Sequence, residues 1–134
     1  MLEVAEGRPV DAGDIRTEPA TPAANGRAIA AAVRQVLDAR ATPVVLGGDD
    51  SVPIPVLSAY ERHGPIWVVQ VDAHIDWRDE RDGERMGWSS PMRRASEMPW
   101  VEGMVQIGAR GVGSARRDEL QAARDWGARI VTAR

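Results

Sequence analysis

The fold of this chain is predicted most directly by residues 65–77, which read PIWVVQVDAHIDW. The first seven are almost all apolar and include several β-branched side chains, which is typical of a central parallel strand covered on both faces. Polar side chains follow at once, at Asp72, His74 and Asp76. Because open α/β sheets bind ligands at the carboxyl ends of their strands, these three residues are candidates for a functional site.

Helices and strands are predicted to alternate on both sides of this segment. Thr21 and Pro22 are typical of an N-cap followed by a first-turn proline. The helix that follows has an apolar face made of Ile29, Val33, Val36 and Leu37. The predicted order is helix 22–40, strand 43–46, helix 52–61, strand 65–71, short helix 91–97, strand 104–107, helix 114–126 and strand 129–132. This alternation favours an α/β layered fold with a mostly parallel sheet and right-handed crossovers.

Length and composition exclude several classes of protein. The 134 residues suggest one domain, and 43% hydrophobic with 28% charged residues is ordinary for a globular one. A net charge of −3 disfavours electrostatic binding of nucleic acid, and the absence of cysteine excludes disulfides and cysteine nucleophiles. No apolar run approaches the roughly 18 residues of a membrane span. The acidic start of the chain is unlike a signal peptide, which predicts a cytoplasmic protein.

The spacing of Asp72, His74 and Asp76 points to a metal site. Side chains two residues apart on extended backbone project to the same side, so a continued strand would present all three together. Two carboxylates and one imidazole suit a divalent cation such as Mn²⁺. A polar strand exit with solvated carboxylates is the alternative interpretation.

A second acidic turn, GGDDS at residues 47–51, follows the preceding predicted strand. Its glycines permit a sharp turn, and the carboxylates of Asp49 and Asp50 would point into the same cleft as the first group. An Asp-Ser pair ahead of a helix is also a common N-cap, which is the alternative role for this turn.

The two acidic turns carry a family resemblance. LGGDDS followed by VDAHIDW resembles the ureohydrolase family of arginases and agmatinases, whose pattern is GGDHS, then DAHxD, then a distal DxDxxDP. The stretches SSPMRRA and VQIGARG are similar to the agmatinase branch, and the resemblance runs from about Val10 to the end of the chain. It implies a three-layer α/β/α sandwich with a mostly parallel sheet, of which residues 1–134 form a single partial domain.

The resemblance also implies a binuclear manganese site. Asp72 would bridge two Mn²⁺ ions, with His74 bound to one and Asp76 to the other. Asp50 takes the place of the family's first histidine ligand, where a carboxylate is still acceptable to Mn²⁺. Trp88 stands where a loop histidine is expected, and no distal DxDxxDP occurs in the sequence. The protein is therefore expected to be the front and middle of a ureohydrolase, truncated before its fold is closed.

The implied reaction is hydrolysis of a small guanidino compound such as agmatine to urea and an amine. The two metal ions would lower the pKa of a bridging water, and the hydroxide would attack the guanidinium carbon. No further catalytic residue and no organic cofactor is predicted. Nucleic acid and membranes are not expected as partners, whereas a complete protein is expected to form a homo-oligomer. The 134-residue chain alone is expected to bind Mn²⁺ weakly and to release no urea.

Two other functions stay open on the sequence. A truncated or degenerate protein could keep the fold without catalysis, which Trp88 and the missing distal motif favour. A different metal-dependent α/β hydrolase, such as a relative of the deacetylases, could share a similar first half of the site. Urea or acetate as the product would distinguish this second alternative.

Overall fold

A computed structural model describes residues 9–133 of the chain. Residues 1–8, which hold two of the four acidic residues in the start used to predict the location, and Arg134 lie outside the described part. The elements are α1 (Pro22–Asp38), α2 (Pro53–Ser58), a 3₁₀ turn (Ala59–Arg62), β1 (Ile66–Val71), α3 (Pro91–Ala95), β2 (Val101–Ala109), α4 (Arg117–Trp126) and β3 (Arg129–Thr132). Helices and strands alternate as predicted, with one exception at residues 43–46.

The three strands form a parallel sheet in the order β1-β2-β3. Val68 on β1 lies opposite Met104 on β2, and Gln70 lies opposite Gln106. Gln106 in turn lies opposite Ile130 on β3. Parallel neighbours need a crossover connection, which contains α3 between β1 and β2 and α4 between β2 and β3. The predicted α/β class with a parallel sheet is confirmed.

Helices cover one face of this sheet and create the core. Val68 and Met104 belong to one buried cluster with Met92 and Ala95 of α3 and Ala123 of α4. All five side chains are less than a tenth exposed. This face therefore anchors the strand β1, from whose end the candidate ligands extend.

The opposite face of the sheet is open in residues 9–133. Trp67, Val69 and Val71 of β1 are 66%, 65% and 79% exposed. The indole of Trp67 lies so close to Gly103 that a Cβ on this glycine would come within 2.6 Å of the ring. The described elements thus account for two layers of the expected three-layer sandwich.

Residues 43–46 are not a strand, so the prediction for this segment is wrong. Val44 and Leu46 are 84% and 94% exposed, and no strand within residues 9–133 pairs with the segment. A strand needs a neighbour that satisfies its backbone N–H and C=O groups. An apolar run identifies a segment that is able to form a strand, but it does not provide that neighbour.

The longer helices follow their local signals closely. α1 begins at Pro22, which suits a first turn, although the hydroxyl of Thr21 makes no capping hydrogen bond, contrary to expectation. α4 begins at Arg117 instead of residue 114 and ends at Trp126, followed by Gly127, whose φ of 104° favours glycine. Among residues 9–133 there is no helix with both the length and the apolar character needed to cross a bilayer.

Candidate metal centre

The backbone turns back after β1 instead of continuing as a strand. β1 ends at Val71, and residues 72–74 form a bend. The Asp72 N–H donates to Ile107 O at 3.0 Å, as a strand would, but Asp72 Oδ1 accepts from the His74 N–H at 2.7 Å. A carboxylate that accepts from the backbone two residues on forms a local turn that ends extended structure. The expected two-residue alternation of ligands is therefore wrong.

Asp76 completes the turn in a left-handed backbone conformation, with a φ of 47°. It is only 8% exposed and lies between Ile75 and Trp77, which are 1% and 2% exposed. Its carbonyl oxygen accepts from the Arg93 N–H of α3 at 3.2 Å. The turn, held in place by its buried neighbours, is what brings the Asp76 carboxylate beside that of Asp72.

Asp50, Asp72 and Asp76 meet in an acidic cluster. One carboxylate oxygen of each lies within 4.8 Å of those of the other two. Asp50 comes from the turn before α2, next to Asp49, whose Oδ1 accepts from the Ser51 N–H at 2.7 Å and from its hydroxyl at 2.5 Å. The N-cap of α2 is Val52 and no side chain among the described residues caps this helix, so Asp49 stabilises its own turn and Asp50 contributes to the cluster.

Burial and mutual repulsion disfavour the charged forms of the cluster. Burial, reinforced by the charge of Asp50, raises the pKa of Asp76 to about 7. Burial also raises the pKa of Asp50, although a hydrogen bond with Asp76 opposes the rise. Outside the cluster, hydrogen bonds from Ser51 lower the pKa of Asp49. A bound cation would therefore stabilise the charged forms of these three carboxylates.

His74 lies beside the acidic cluster, whereas Trp88 contacts Arg81. His74 Nδ1 is 3.2 Å from Asp72 Oδ1, and the His74 side chain is 61% exposed. Trp88 is 57% exposed, and the Arg81 guanidinium carbon lies 5.0 Å from the centre of its ring. Of the four predicted ligands, the structure brings three carboxylates together and sets the imidazole against one of them.

Sequence reasoning missed several residues around the cluster. Gln70 Nε2 donates to Asp76 Oδ2, and a glutamine inside an otherwise apolar strand was the available signal. A cleft next to His74 and Asp76 is also lined by Arg78 and Glu119. These two are paired, with Arg78 Nε 3.0 Å from Glu119 Oε1. Because they are 41 residues apart in sequence, no local pattern could have predicted this pair.

The donor set fits a hard divalent cation. Carboxylate oxygens are the ligands that Mn²⁺, Mg²⁺ and Ca²⁺ prefer, and a cation would relieve the repulsion that contributes to the raised pKa of Asp76. The imidazole of His74 is near enough to Asp72 to join the same site. The fold and this cluster define an α/β protein with a candidate metal centre at the carboxyl end of a parallel strand.

Comparison with known proteins identifies the family. The sequence profile of the Arginase family matches residues 2–134, and the chain belongs to this family. The mitochondrial guanidino acid hydrolase of Homo sapiens is 33% identical over 126 residues, which are 92% of this chain and 36% of the relative. The proclavaminate amidinohydrolase of Streptomyces clavuligerus is 36% identical over 127 residues, which are 92% of this chain and 40% of the relative.

Solved structures of relatives confirm the arginase-like fold. Proclavaminate amidinohydrolase of Streptomyces clavuligerus has a TM-score of 0.80 at 32% identity, covering 92% of this chain and 42% of that one. Formiminoglutamase of Trypanosoma cruzi, determined with Mn²⁺, has a TM-score of 0.80 at 28% identity, covering 91% of this chain and 41% of that one. The protein thus spans 36–42% of the length of these relatives.

Proposed function

We propose that these residues belong to a metal-dependent ureohydrolase that cleaves a guanidino compound to urea and an amine, with agmatinase-like specificity. The observation that carries the proposal is the convergence of three carboxylates within 4.8 Å, in a member of the Arginase family. The proposed metal ligands are Asp50, Asp72, His74 and Asp76. The proposed ion is Mn²⁺, two of which would occupy the complete site.

The names of relatives support this chemistry at the level of the reaction class. Two of the similar proteins are called a guanidino acid hydrolase and an amidinohydrolase. A third is called an agmatinase, that of Gallus gallus, and is 33% identical over 126 residues. The similar formiminoglutamase structure is described with Mn²⁺. A carbon bonded to two or more nitrogens is the common target that these names indicate, and a guanidino group fits that description.

Divalent ions at this site would supply Lewis-acid polarisation and lower the pKa of water. The protein itself prepares Asp72 for binding, because the His74 N–H and the backbone of β2 fix its position. The His74 ring stands against the same carboxylate oxygen at 3.2 Å, where its Nδ1 is able to hold a proton or serve as a ligand. Asp76 is buried, so its carboxylate is shielded from competing water.

The distribution of charge around the cluster suits bound cations. In the adjoining cleft, the negative charge of Glu119 is balanced by Arg78 at 3.0 Å. The carboxylates of Asp50 and Asp76 have no such arginine partner among the described residues. Cations entering the cleft would therefore find uncompensated carboxylates in the cluster, whereas Glu119 is already paired. Ser114, with its hydroxyl directed to Ala73 O at 2.7 Å, forms part of the wall.

The proposal extends to partners and location. The only partner proposed is the small guanidino substrate, and neither nucleic acid nor a membrane is proposed. A net charge of −3 disfavours binding of nucleic acid. A cytoplasmic location and a homo-oligomer of the complete protein are part of the same proposal. Residues 1–134 are taken as one partial domain that is inactive alone, because the family's distal aspartate motif does not occur in them.

Urea release tests the proposal. The 134-residue chain and any longer product of its reading frame that contains DxDxxDP would be incubated with Mn²⁺ and agmatine, guanidinobutyrate or arginine. We expect urea from the longer product, none from its Asp72→Ala variant, and Mn²⁺ binding without urea from the shorter one. Urea from neither would contradict the proposal, and acetate from an acetylated amine would favour the deacetylase-like alternative. Robust turnover by the shorter product would show that the distal motif is not needed.

A further inference from the structure

A buried glutamine and a half-buried one interrupt the apolar inner face of the sheet. Gln70 on β1 and Gln106 on β2 lie opposite each other, next along the strands from the apolar pair Val68 and Met104. Gln106 is only 1% exposed. Burying an amide is unfavourable unless it is hydrogen-bonded, so the contacts of these two side chains indicate why they are there.

The hydrogen bonds form a relay from a backbone carbonyl to Asp76. Gln106 Nε2 donates to Ile75 O at 2.7 Å and to Gln70 Oε1 at 2.6 Å. Gln70 Nε2 in turn donates to Asp76 Oδ2. Ile75 and Asp76 are adjacent in the turn that follows β1, so both ends of the relay contact the turn that carries the candidate ligands.

The Ile75 carbonyl determines the direction of the whole relay. A backbone carbonyl only accepts, so Gln106 must present its NH₂ group to it. The same NH₂ group faces Gln70, which must then present its oxygen to Gln106 and its own NH₂ to Asp76. Reversing either amide would set oxygen against oxygen or NH₂ against NH₂. The geometry therefore always presents a donor to the Asp76 carboxylate.

Pairing between the strands does not by itself explain this arrangement. The Gln106 Oε1 atom is buried and has no hydrogen-bond partner within residues 9–133. A buried acceptor without a partner is unfavourable, so an apolar pair at these two positions would be the simpler way to stabilise the sheet. The donors of Gln106 are used fully while its acceptor is not, which indicates that the direction of donation is the feature that matters.

We propose that Gln106 and Gln70 are positioning residues that hold the Asp76 carboxylate in the orientation needed for a divalent cation. This inference rests on the proposed metal site, in which Asp76 is a ligand. Hydrogen-bond partners of metal-ligating groups fix their orientation, and losing one typically weakens metal binding roughly 10–100-fold. The VQIGARG stretch at residues 105–111 thereby has a role, since it contributes Gln106 to the relay.

Matched glutamine-to-methionine variants test the relay through Mn²⁺ affinity. Methionine keeps the length of the side chain and removes its donors, so Gln106→Met, Gln70→Met and the double variant each break the relay. Gln121→Met is the control, because Gln121 Nε2 donates to Asp125 Oδ1 at 2.8 Å on the exposed side of α4. The concentration of free Mn²⁺ at each total concentration would be measured by electron paramagnetic resonance.

We expect each single relay variant to weaken Mn²⁺ binding roughly tenfold and the control to leave it unchanged. The double variant should lose about as much as either single one, because both residues act through one hydrogen bond to Asp76. A merely structural role would instead lower the melting temperature in chelator and leave the Mn²⁺ affinity unchanged, which would overturn the proposal. Losses that simply add in the double variant would overturn it as well.

A metal-free measurement separates failure of the relay from failure of the metal site. The ¹³C shift of the Asp76 carboxyl should move in Gln106→Met and Gln70→Met but not in Gln121→Met. If the ¹³C shift is the same in the relay variants as in the unchanged protein, the relay is overturned. If the unchanged protein does not bind Mn²⁺, the metal site is overturned, and so is the proposed role of the relay in metal binding. If Gln106→Met does not fold, Gln70→Met provides both measurements, since it leaves the bond from Gln106 to Ile75 in place.

Discussion

Two acidic turns build the cluster, and they are held in place in different ways. The turn at residues 72–76 is bonded to the segment after β2: the Ile75 N–H donates to Ser114 O at 3.2 Å, and Ala73 O accepts from the Arg110 N–H at 3.0 Å. The turn at residues 47–51 is held by its own atoms, through the two bonds from Ser51 to Asp49. The segment before it, residues 43–46, is not paired in a sheet.

The comparison teaches that the ligands of one site need not be equally preorganised. Asp72 and Asp76 are positioned by a buried core and by hydrogen bonds across the sheet, so their places are determined by the tertiary fold. Asp50 is positioned by a local turn and by the start of α2 at Pro53. Changes near β1 should therefore affect both stability and metal binding, whereas changes near residues 43–51 should have smaller effects on stability.

The largest expected contrast is between a buried side chain of the sheet that carries the first turn and an exposed side chain just before the second turn. Met104→Ala removes a side chain that is 1% exposed and should lower the free energy of unfolding by about 2–5 kcal/mol. Leu46→Ala removes one that is 94% exposed and should change it by less than about 0.5 kcal/mol. Urea denaturation followed by circular dichroism measures both, and equal losses would show that residues 43–46 are packed in solution.

The second contrast is in metal binding. Asp72→Ala removes the proposed bridging ligand and should weaken Mn²⁺ binding roughly 100-fold, equivalent to about 3 kcal/mol. Asp50→His restores the ligand type that the family resemblance implies at this position and should retain most of the affinity. Elemental analysis and Mn²⁺ titration of the two purified variants would decide the matter. Equal losses would count against a bridging role for Asp72.

The third prediction concerns pH and the buried carboxylate of Asp76. Its pKa in the fold is about 7, above the ordinary value of 3.8, because burial and the charge of Asp50 disfavour ionisation. The unfolded protein therefore loses this proton first, and the stability of the metal-free protein should fall as pH rises from about 4 to 7 and then level off. The total fall should not exceed a few kcal/mol, since one pKa unit corresponds to about 1.4 kcal/mol.

Urea denaturation in chelator between these pH values would check this expectation. Asp76→Asn cannot ionise and should flatten the profile over the same range, whereas Asp125→Asn on α4 is the control that should keep the profile of the unchanged protein. A profile that rises with pH in this window would mean that Asp76 is stabilised in its charged form without metal.

The smallest expected effect lies in the local turn. Ser51→Ala removes the hydroxyl that donates to Asp49 at 2.5 Å but leaves the backbone N–H bond at 2.7 Å. Stability should fall by about 1 kcal/mol or less, since an exposed hydrogen bond contributes little. Thermal unfolding measures this change. A large loss would show that the turn contributes more to the fold than its exposure indicates.

The convergence of three of the four predicted ligands was predictable from sequence, but the geometry of the site was not. DAHID after an apolar strand and GGDDS before a helix are local patterns, and carboxylates from both do converge in the structure. Alternation along a strand is not what brings them together, because the backbone bends at Asp72 and adopts a φ of 47° at Asp76. It was also not predictable that Asp49 would bond to Ser51 and Asp50 would join the cluster, since both precede the same serine by one or two positions.

The sequence by itself determined the α/β class, the order of the elements other than residues 43–46, and the strands β1 and β3, because apolar runs and helix signals are properties of neighbouring residues. The tertiary structure alone decided that residues 43–46 form no strand, since pairing depends on a partner elsewhere in the protein. It also decided that Gln106 is linked to Asp76 through Gln70. Gln70 and Gln106 are 36 positions apart in the sequence, and only folding brings such distant residues within hydrogen-bond distance.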